Sequence, residues 1–168
     1  MKQTPLYPQV RTYIDRQWQA LTYRVPKDQG VHIGLPNAFV APSEADGIFL
    51  RDQFYWDSYF IILGLLESKK VQLARGMVDN FLYLFKRFGL IPMRNRFYNV
   101  GISQPPFLTS MIREVFAATE DVKWVKEATR IAERELQEYW MDNHRRAEHH
   151  LAYKNLSRYI DHHYSPHC

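Results

Sequence analysis

The chain has 168 residues, of which 46% are hydrophobic and 24% charged, and its formal net charge is +4. This length and composition fit one globular domain with its own core, and they exclude a chain that is disordered throughout. Basic and acidic residues alternate along the sequence, which excludes the continuous basic stripe expected of a nucleic-acid-binding protein.

Two further features bear on the cellular compartment. The single cysteine, Cys168, excludes an internal disulfide and favours a reducing environment. The N-terminal residues lack the apolar run of a signal peptide, and no apolar run is long enough to span a bilayer. The sequence therefore predicts a cytoplasmic protein without membrane contact.

The first three helices are predicted from apolar periodicity. Helix one begins near Gln9 and ends before Pro26, with apolar residues at helical spacing over about four turns. Helix two, residues 56–68, is apolar on most sides and is predicted to be buried. Helix three, residues 71–88, is amphipathic, and Gly89 is suited to its C-terminal cap.

Two more helices follow. The segment Ser103-Gln104-Pro105-Pro106 predicts a start for helix four, with prolines at its first positions, and this helix continues to about Ala118. Helix five is predicted to begin near residues 119–121, where acidic side chains suit a helix N-terminus. Its predicted apolar stripe comprises Val122, Val125, Ile131, Ala132, Leu136, Tyr139 and Trp140.

The connections between these helices alternate in length. Residues 24–46 and 90–102 are predicted to be long irregular segments, the second with a short extended piece at residues 97–100. Strongly apolar helices (two and four) alternate with amphipathic ones (one, three and five). This alternation favours an all-α double ring of five or six helices over a plain bundle.

Residues 52–66, DQFYWDSYFIILGLL, combine a polar aromatic cluster with an apolar run. An indole beside a carboxylate offers both stacking and hydrogen bonding to a polar ring such as a sugar. We therefore predict a buried helix whose N-terminal end faces a ligand. The alternative is an ordinary helix start, in which the aromatic side chains belong to the core.

Two other arrangements of candidate residues are less favourable. Asp52 and Asp57 are five positions apart, which does not place two acids on one helix face as an acid/base pair. Six of the histidines lie between residues 144 and 167, close to Cys168, but without the spacing of a helical metal motif. We interpret them as exposed loop residues, and we expect neither a metal nor a cofactor.

Six short segments resemble the α,α-trehalase family in order and spacing. They are YWDSYF (55–60), GL (64–65), DNF (79–81), GLIP (89–92), NRFY (95–98) and SQPP (103–106). The resemblance extends from about residue 41 to residue 115, and more loosely to LSRY at 156–159. The resemblance implies an (α/α)6 toroid fold. It also implies an enzyme that hydrolyses α,α-trehalose to glucose with inversion, a reaction that needs two carboxyl groups.

The resemblance also implies which residues contact the sugar. Trp56 and Asp57 match the family's tryptophan-aspartate pair, and Gln104 matches the glutamine before its double proline, although Gln104 could instead cap the following helix. Supporting substrate-binding roles are expected of Arg51, Asp52, Asn95 and Arg96. Three positions that are polar in the family are apolar here, namely Phe49, Met93 and Ile102. These departures suggest a related α-glucoside as substrate or a non-catalytic copy.

In the family both catalytic carboxyl groups lie downstream of the segment that matches. The sequence is therefore expected to represent the N-terminal portion of a catalytic domain, residues 1–168, truncated before the general acid and inactive alone. No catalytic residue is expected in this chain. The alternative is a non-catalytic helical module that binds a sugar or self-associates through the exposed flanks of its helices.

Overall fold

The computed structural model describes residues 6–42, 51–141, 150–151 and 156–157. Within them the chain forms five α-helices, and the predicted all-α class is confirmed. The helices are α1 (Leu6–Ala20), α2 (Tyr55–Glu67), α3 (Val71–Phe88), α4 (Leu108–Thr119) and α5 (Val122–Arg134). Over the part of the chain that is described, none of the helices has the length and apolar character needed to cross a membrane.

Short non-α elements complete the architecture. Two-residue strands β1 (Thr22–Tyr23) and β2 (Phe39–Val40) pair antiparallel, as do β3 (His150–Leu151) and β4 (Leu156–Ser157). A 3-10 turn spans Phe97–Asn99, and a π-helix, Glu135–Trp140, continues α5. The histidine-rich tail considered for metal binding lies outside the described residues, except for the backbone of His150.

The helices are arranged as two adjacent hairpins. Helix α2 packs against α3 and α4, and α5 packs against α4 and α3. The core between them is filled by side chains such as Tyr55, Phe81, Phe85 and Met111, which are at most 1% exposed. Adjacent helical hairpins of this kind are the repeating unit of the predicted (α/α)6 toroid.

The predicted helix boundaries are confirmed most closely where a cap is present. Helix α3 has the predicted limits, and Gly89 adopts the left-handed conformation at its C-terminus with φ of 72°. The Asp121 side chain accepts a hydrogen bond from the Trp124 N–H at 2.9 Å and so caps α5.

Two predictions of secondary-structure type or boundary are wrong. Helix α4 begins at Leu108 rather than at Pro105, because a residue before proline avoids the helical conformation and the tandem prolines extend that restriction. The predicted extended piece at residues 97–100 is the 3-10 turn instead.

The irregular segment 24–42 contributes strongly to the core, which its sequence did not indicate. Six of its residues are at most 7% exposed: Val25, Ile33, Leu35, Phe39, Val40 and Ala41. Gly34 permits a close turn, since a Cβ on it would lie 2.5 Å from the Lys27 carbonyl carbon. The predicted long loop is thus a folded layer against the helices.

Helix α2 is buried on one side only. Tyr55, Ser58, Ile62 and Leu65 face the core, whereas Trp56, Phe60 and Leu63 on the opposite face are 43%, 59% and 38% exposed. The prediction that this helix is buried on most sides is therefore wrong for that face. Its neighbours within the described residues cover the core-facing side.

The π-helix changes which residues of the last helical segment are buried. A π turn contains more residues than an α turn, so it rotates the positions that follow relative to an ideal helix. Leu136, which belongs to the predicted apolar stripe, is 54% exposed, and the acidic Glu135 is 3% exposed. Tyr139 and Trp140 of the same stripe are buried and pack against Leu90 and Phe88.

Candidate functional site

The N-terminus of α2 and the segment 102–107 meet at the candidate site. The Trp56 N–H donates to Oε1 of Gln104 at 3.2 Å, although the two residues are 48 positions apart. The Trp56 side chain is 43% exposed, and Asp57 beside it is half-buried. The structure thus brings Trp56, Asp57 and Gln104 together on an accessible surface.

The environment of Asp57 favours its neutral form more than water does. Burial raises the pKa of Asp57 above its usual value, and hydrogen bonds from its own backbone N–H and from the side chains of Gln104 and Trp56 oppose that rise in part. The carboxyl group is therefore partly desolvated and surrounded by donors. Such a group is suited to hydrogen bonding with hydroxyls.

Beneath this surface, Asp52 is the centre of a buried ionic cluster. Its carboxylate is fully shielded from solvent and accepts a hydrogen bond from Arg96 Nε at 2.6 Å and from Arg94 Nη1 at 3.2 Å. His32 Nε2 lies 3.4 Å from the same carboxylate. Asp52 and Arg96, both predicted to support the substrate, therefore bind each other.

Arg94 and His32 were not predicted as site residues. Arg94 lies two residues before Arg96, but the chain bends at Asn95 between them, where the Arg96 N–H donates to the Arg94 carbonyl at 2.7 Å, so spacing alone does not indicate that both meet Asp52. His32 is brought in by an isolated antiparallel bridge to Arg96, for which the sequence holds no signal.

Asn95 lies at the bend between the two arginines and joins residue 33 and residues 51–53 to its own segment. Its Oδ1 accepts the Gln53 N–H at 2.7 Å, and its Nδ2 donates to the carbonyls of Ile33 at 3.2 Å and Arg51 at 3.3 Å. Asn95 is completely buried, so its side chain links these backbone segments and does not face solvent. Arg51 itself is exposed and has a positive φ of 65°.

The buried side-chain amides of Gln53 and Asn80 fix the segment before α2 to α3. Gln53 Nε2 donates to the Met77 carbonyl at 2.9 Å, and Asn80 Nδ2 donates to Oε1 of Gln53 at 2.9 Å. Asn80 also holds Asn37 through the backbone of that residue. These contacts fix the position at which α2 begins, and hence that of Trp56.

Met93 and Ile102, two of the positions that are apolar here, lie beside the site. The Met93 carbonyl accepts the Tyr55 N–H at 3.0 Å, and the Met93 N–H donates to the Ile102 carbonyl at 2.7 Å. The backbone at these positions therefore joins the two halves of the site, while the side chains offer no polar group. Phe49, the third position, lies outside the described residues.

Comparison with known proteins agrees with these features. A family model for trehalases matches residues 2–167. The trehalase of Bombyx mori is 34% identical, with 76% of this chain and 22% of that protein covered. The periplasmic trehalase of Xanthomonas campestris is 41% identical over 61% of this chain and 18% of that protein.

Among solved structures, neutral trehalase Nth1 from Saccharomyces cerevisiae has a TM-score of 0.64 and 33% identity, covering 72% of this chain and 22% of that one. The chain thus spans 18–22% of the length of these three relatives. Because the family model covers nearly every residue, the chain belongs to the trehalase family.

Proposed function

We propose that the chain is the N-terminal part of a trehalase-like glycoside hydrolase catalytic domain and that Trp56, Asp57 and Gln104 form one wall of its sugar-binding cleft. The observation that carries this proposal is the meeting of an exposed indole, a carboxyl group and a carboxamide. An indole face stacks on the apolar face of a sugar ring, and the two polar groups accept or donate hydrogen bonds to its hydroxyls.

The proposed substrate is α,α-trehalose or a related α-glucoside. Inverting hydrolysis needs one carboxylic acid to protonate the leaving oxygen and one carboxylate to activate water. Asp57 is a contact for the sugar in this proposal, and Asp52 is buried and occupied by hydrogen bonds from two guanidinium groups. The 168-residue chain is therefore proposed to bind the glucosyl unit without cleaving it.

We also propose that the protein acts in the cytoplasm. The support is that the 168 residues hold a single cysteine and so cannot form an internal disulfide. Fractionation of cells that express the natural gene tests this, and recovery of the protein outside the cytoplasm would contradict it.

Calorimetric titration with trehalose tests the sugar site. We expect Trp56→Ala and Asp57→Asn each to weaken trehalose binding by about tenfold, since one removes the stacking surface and the other a charged hydrogen-bonding group. Tyr13→Ala and Asp15→Asn are matched controls, because they remove an exposed aromatic ring and an exposed acid from α1. We expect both to leave the affinity unchanged.

Two results would contradict the proposal. One is trehalose affinity that is the same in the parent chain and in the two site variants, and the other is an absence of trehalose binding to the parent. A glucose-release assay on the purified chain tests the second part, and turnover there would show that the chain carries its own catalytic groups.

A second candidate function is a non-catalytic module that self-associates. It is favoured by the exposed apolar face of α2, which carries Trp56, Phe60 and Leu63. Light scattering over a range of concentrations distinguishes the two, and a monomer at all concentrations would exclude self-association.

A further inference from the structure

Glu135 is a buried carboxyl group that the sugar-binding wall does not include. It is the first residue of the π-helix and is 3% exposed. Its Oε1 accepts one hydrogen bond from the Tyr55 hydroxyl at 2.8 Å and another from Trp140 Nε1 at 3.3 Å. Both donors are neutral groups, so no cation offsets its charge through these contacts.

The Tyr55 hydroxyl connects three elements. Tyr55 is the first residue of α2 and is completely buried, and its hydroxyl oxygen also accepts the N–H of Leu108 at 3.2 Å. Leu108 is the first residue of α4. Because the hydroxyl proton is directed to Glu135, the oxygen lone pairs are available to the Leu108 N–H.

The same two helix starts carry the sugar-binding wall. Trp56 and Asp57 directly follow Tyr55, and Gln104 precedes Leu108 by four residues. The two segments are joined by the bond from the Trp56 N–H to Gln104 and by the bond from the Leu108 N–H to Tyr55. Glu135 orients the second of these links.

We propose that Glu135 is a positioning residue for the sugar-binding wall: through the Tyr55 hydroxyl it holds the start of α4 against the start of α2, and thereby places Gln104 beside Trp56. Its consequence for sugar affinity rests on the proposed function. In this proposal the protonation of Glu135 affects the position of Gln104 beside Trp56 even when no sugar is bound. This coupling can therefore be measured in the free protein.

The electrostatics make this coupling sensitive to protonation. Burial raises the pKa of Glu135 to about 7, although the hydrogen bonds from Tyr55 and Trp140 oppose the rise. Glu135 lines a cavity of about 310 Å³ together with Glu133 on its own segment and the uncharged Thr109 and Ile112 on α4. Helix α2 contributes Tyr55, whose pKa is raised by its own burial.

Nuclear magnetic resonance of the 168-residue chain, without sugar, tests the coupling. The probes are the backbone amides of Trp56 and Leu108 and the side-chain amide of Gln104, followed from about pH 5.5 to 8.5. We expect all three signals to shift together with a midpoint near 7 in the parent chain. We expect the shift to be lost in Glu135→Gln and kept in Glu133→Gln.

Signals that stay constant over this range, or that shift equally in Glu135→Gln, would overturn the proposal. Asp57 also titrates, but it remains in Glu135→Gln, so any contribution from Asp57 persists in that variant. If Glu135→Gln does not fold, Tyr55→Phe replaces it. Shifts of the three signals in the parent chain that are lost in Tyr55→Phe support the proposal, and shifts that persist there overturn it.

Trehalose titration then connects the coupling to function. We expect Glu135→Gln and Tyr55→Phe each to weaken trehalose binding about fivefold above pH 7, and the double variant to be no weaker than either single one. Coupled shifts in a parent chain that binds no trehalose would refute the proposed function and keep the positioning role. Trehalose binding without coupled shifts would refute the positioning role alone.

Discussion

Asp52 and Glu135 are both almost completely shielded from water, at 0% and 3% exposure, but their partners differ in kind. Asp52 lies between the guanidinium groups of Arg94 and Arg96, whereas Glu135 receives hydrogen bonds from a phenol and an indole. A buried charge is favourable only where cations and donors replace the water it has lost. At Glu135, where the two donors are neutral, burial raises the pKa of the carboxyl group to about 7.

The two carboxyl groups also connect different parts of the molecule. Asp52 binds Arg94 and Arg96 in the segment containing residues 94–96, and His32 Nε2 lies 3.4 Å from its carboxylate. Glu135 connects the starts of two helices through Tyr55. We infer that the first is a fixed support, while the second can adjust the wall of the site.

The largest effect is expected from Asp52→Asn. This substitution removes the charge of a carboxylate that is completely buried against Arg94 and Arg96, and we expect the free energy of unfolding to fall by about 3–5 kcal/mol. Urea denaturation at neutral pH measures the change. Asp121→Asn, which breaks a partly exposed pair with Arg75, is the matched control and is expected to cost less. Similar losses in both variants would show that Asp52 is no more important than a surface ion pair.

An intermediate effect is expected from the pH dependence of Glu135. Because its pKa is raised from 4.5 to about 7 on folding, the folded state binds more protons than the unfolded state between these values. The stability due to this group is thus present below pH 4.5 and is lost as the pH rises through about 7.

Glu135→Gln should remove this loss of stability at high pH, because the glutamine side chain does not ionise. At pH 8 we expect this variant to exceed the parent in unfolding free energy by on the order of 2 kcal/mol, with a much smaller difference at pH 4.5. Thermal or urea unfolding at the two pH values measures it. A difference that is the same at both pH values would contradict the assignment of the raised pKa to Glu135.

The smallest effect is expected from a third carboxyl group, Asp28, whose side chain is 42% exposed in its pair with Arg87. Hydrogen bonds from Arg87 and from the Gly34 N–H lower the pKa of Asp28 to about 2. Its contribution is present above pH 3.8 and is lost as the pH falls through about 2. Because solvent screens the pair, we expect Asp28→Asn to cost less than about 1 kcal/mol near neutral pH. A cost in urea denaturation as large as that of Asp52→Asn would contradict the role given to burial.

The helices could be predicted from sequence because their information is local. The apolar period of α3 and its terminal Gly89 gave its limits, and Asp121 marked the start of α5. The proximity of Trp56 and Asp57 to Gln104 followed from the family resemblance and not from spacing. The structure brings these residues together, and their contact with a sugar remains a prediction.

The remaining features depend on contacts between distant residues. The ion pairs of Asp52 join residues 42 and 44 positions apart, and charge alone does not indicate which arginine an aspartate will meet. The core residues around Ile33 are held by short bridges that carry no periodic pattern. In the π-helix Glu135 is buried and Leu136 is exposed, the reverse of the prediction. The prediction assumed a constant helical period, and a constant period does not show where an irregular turn lies.

The indole of Trp140 has a consequence for observing the protein. Its N–H is directed at the Glu135 carboxyl group, whereas the indole N–H groups of Trp18 and Trp124 donate to Ser68 and Asp79. Tryptophan fluorescence responds to nearby charge, so the emission of Trp140 should change when Glu135 loses its proton. The chain thus contains an intrinsic optical reporter of the charge beneath the proposed sugar-binding wall, readable without a label.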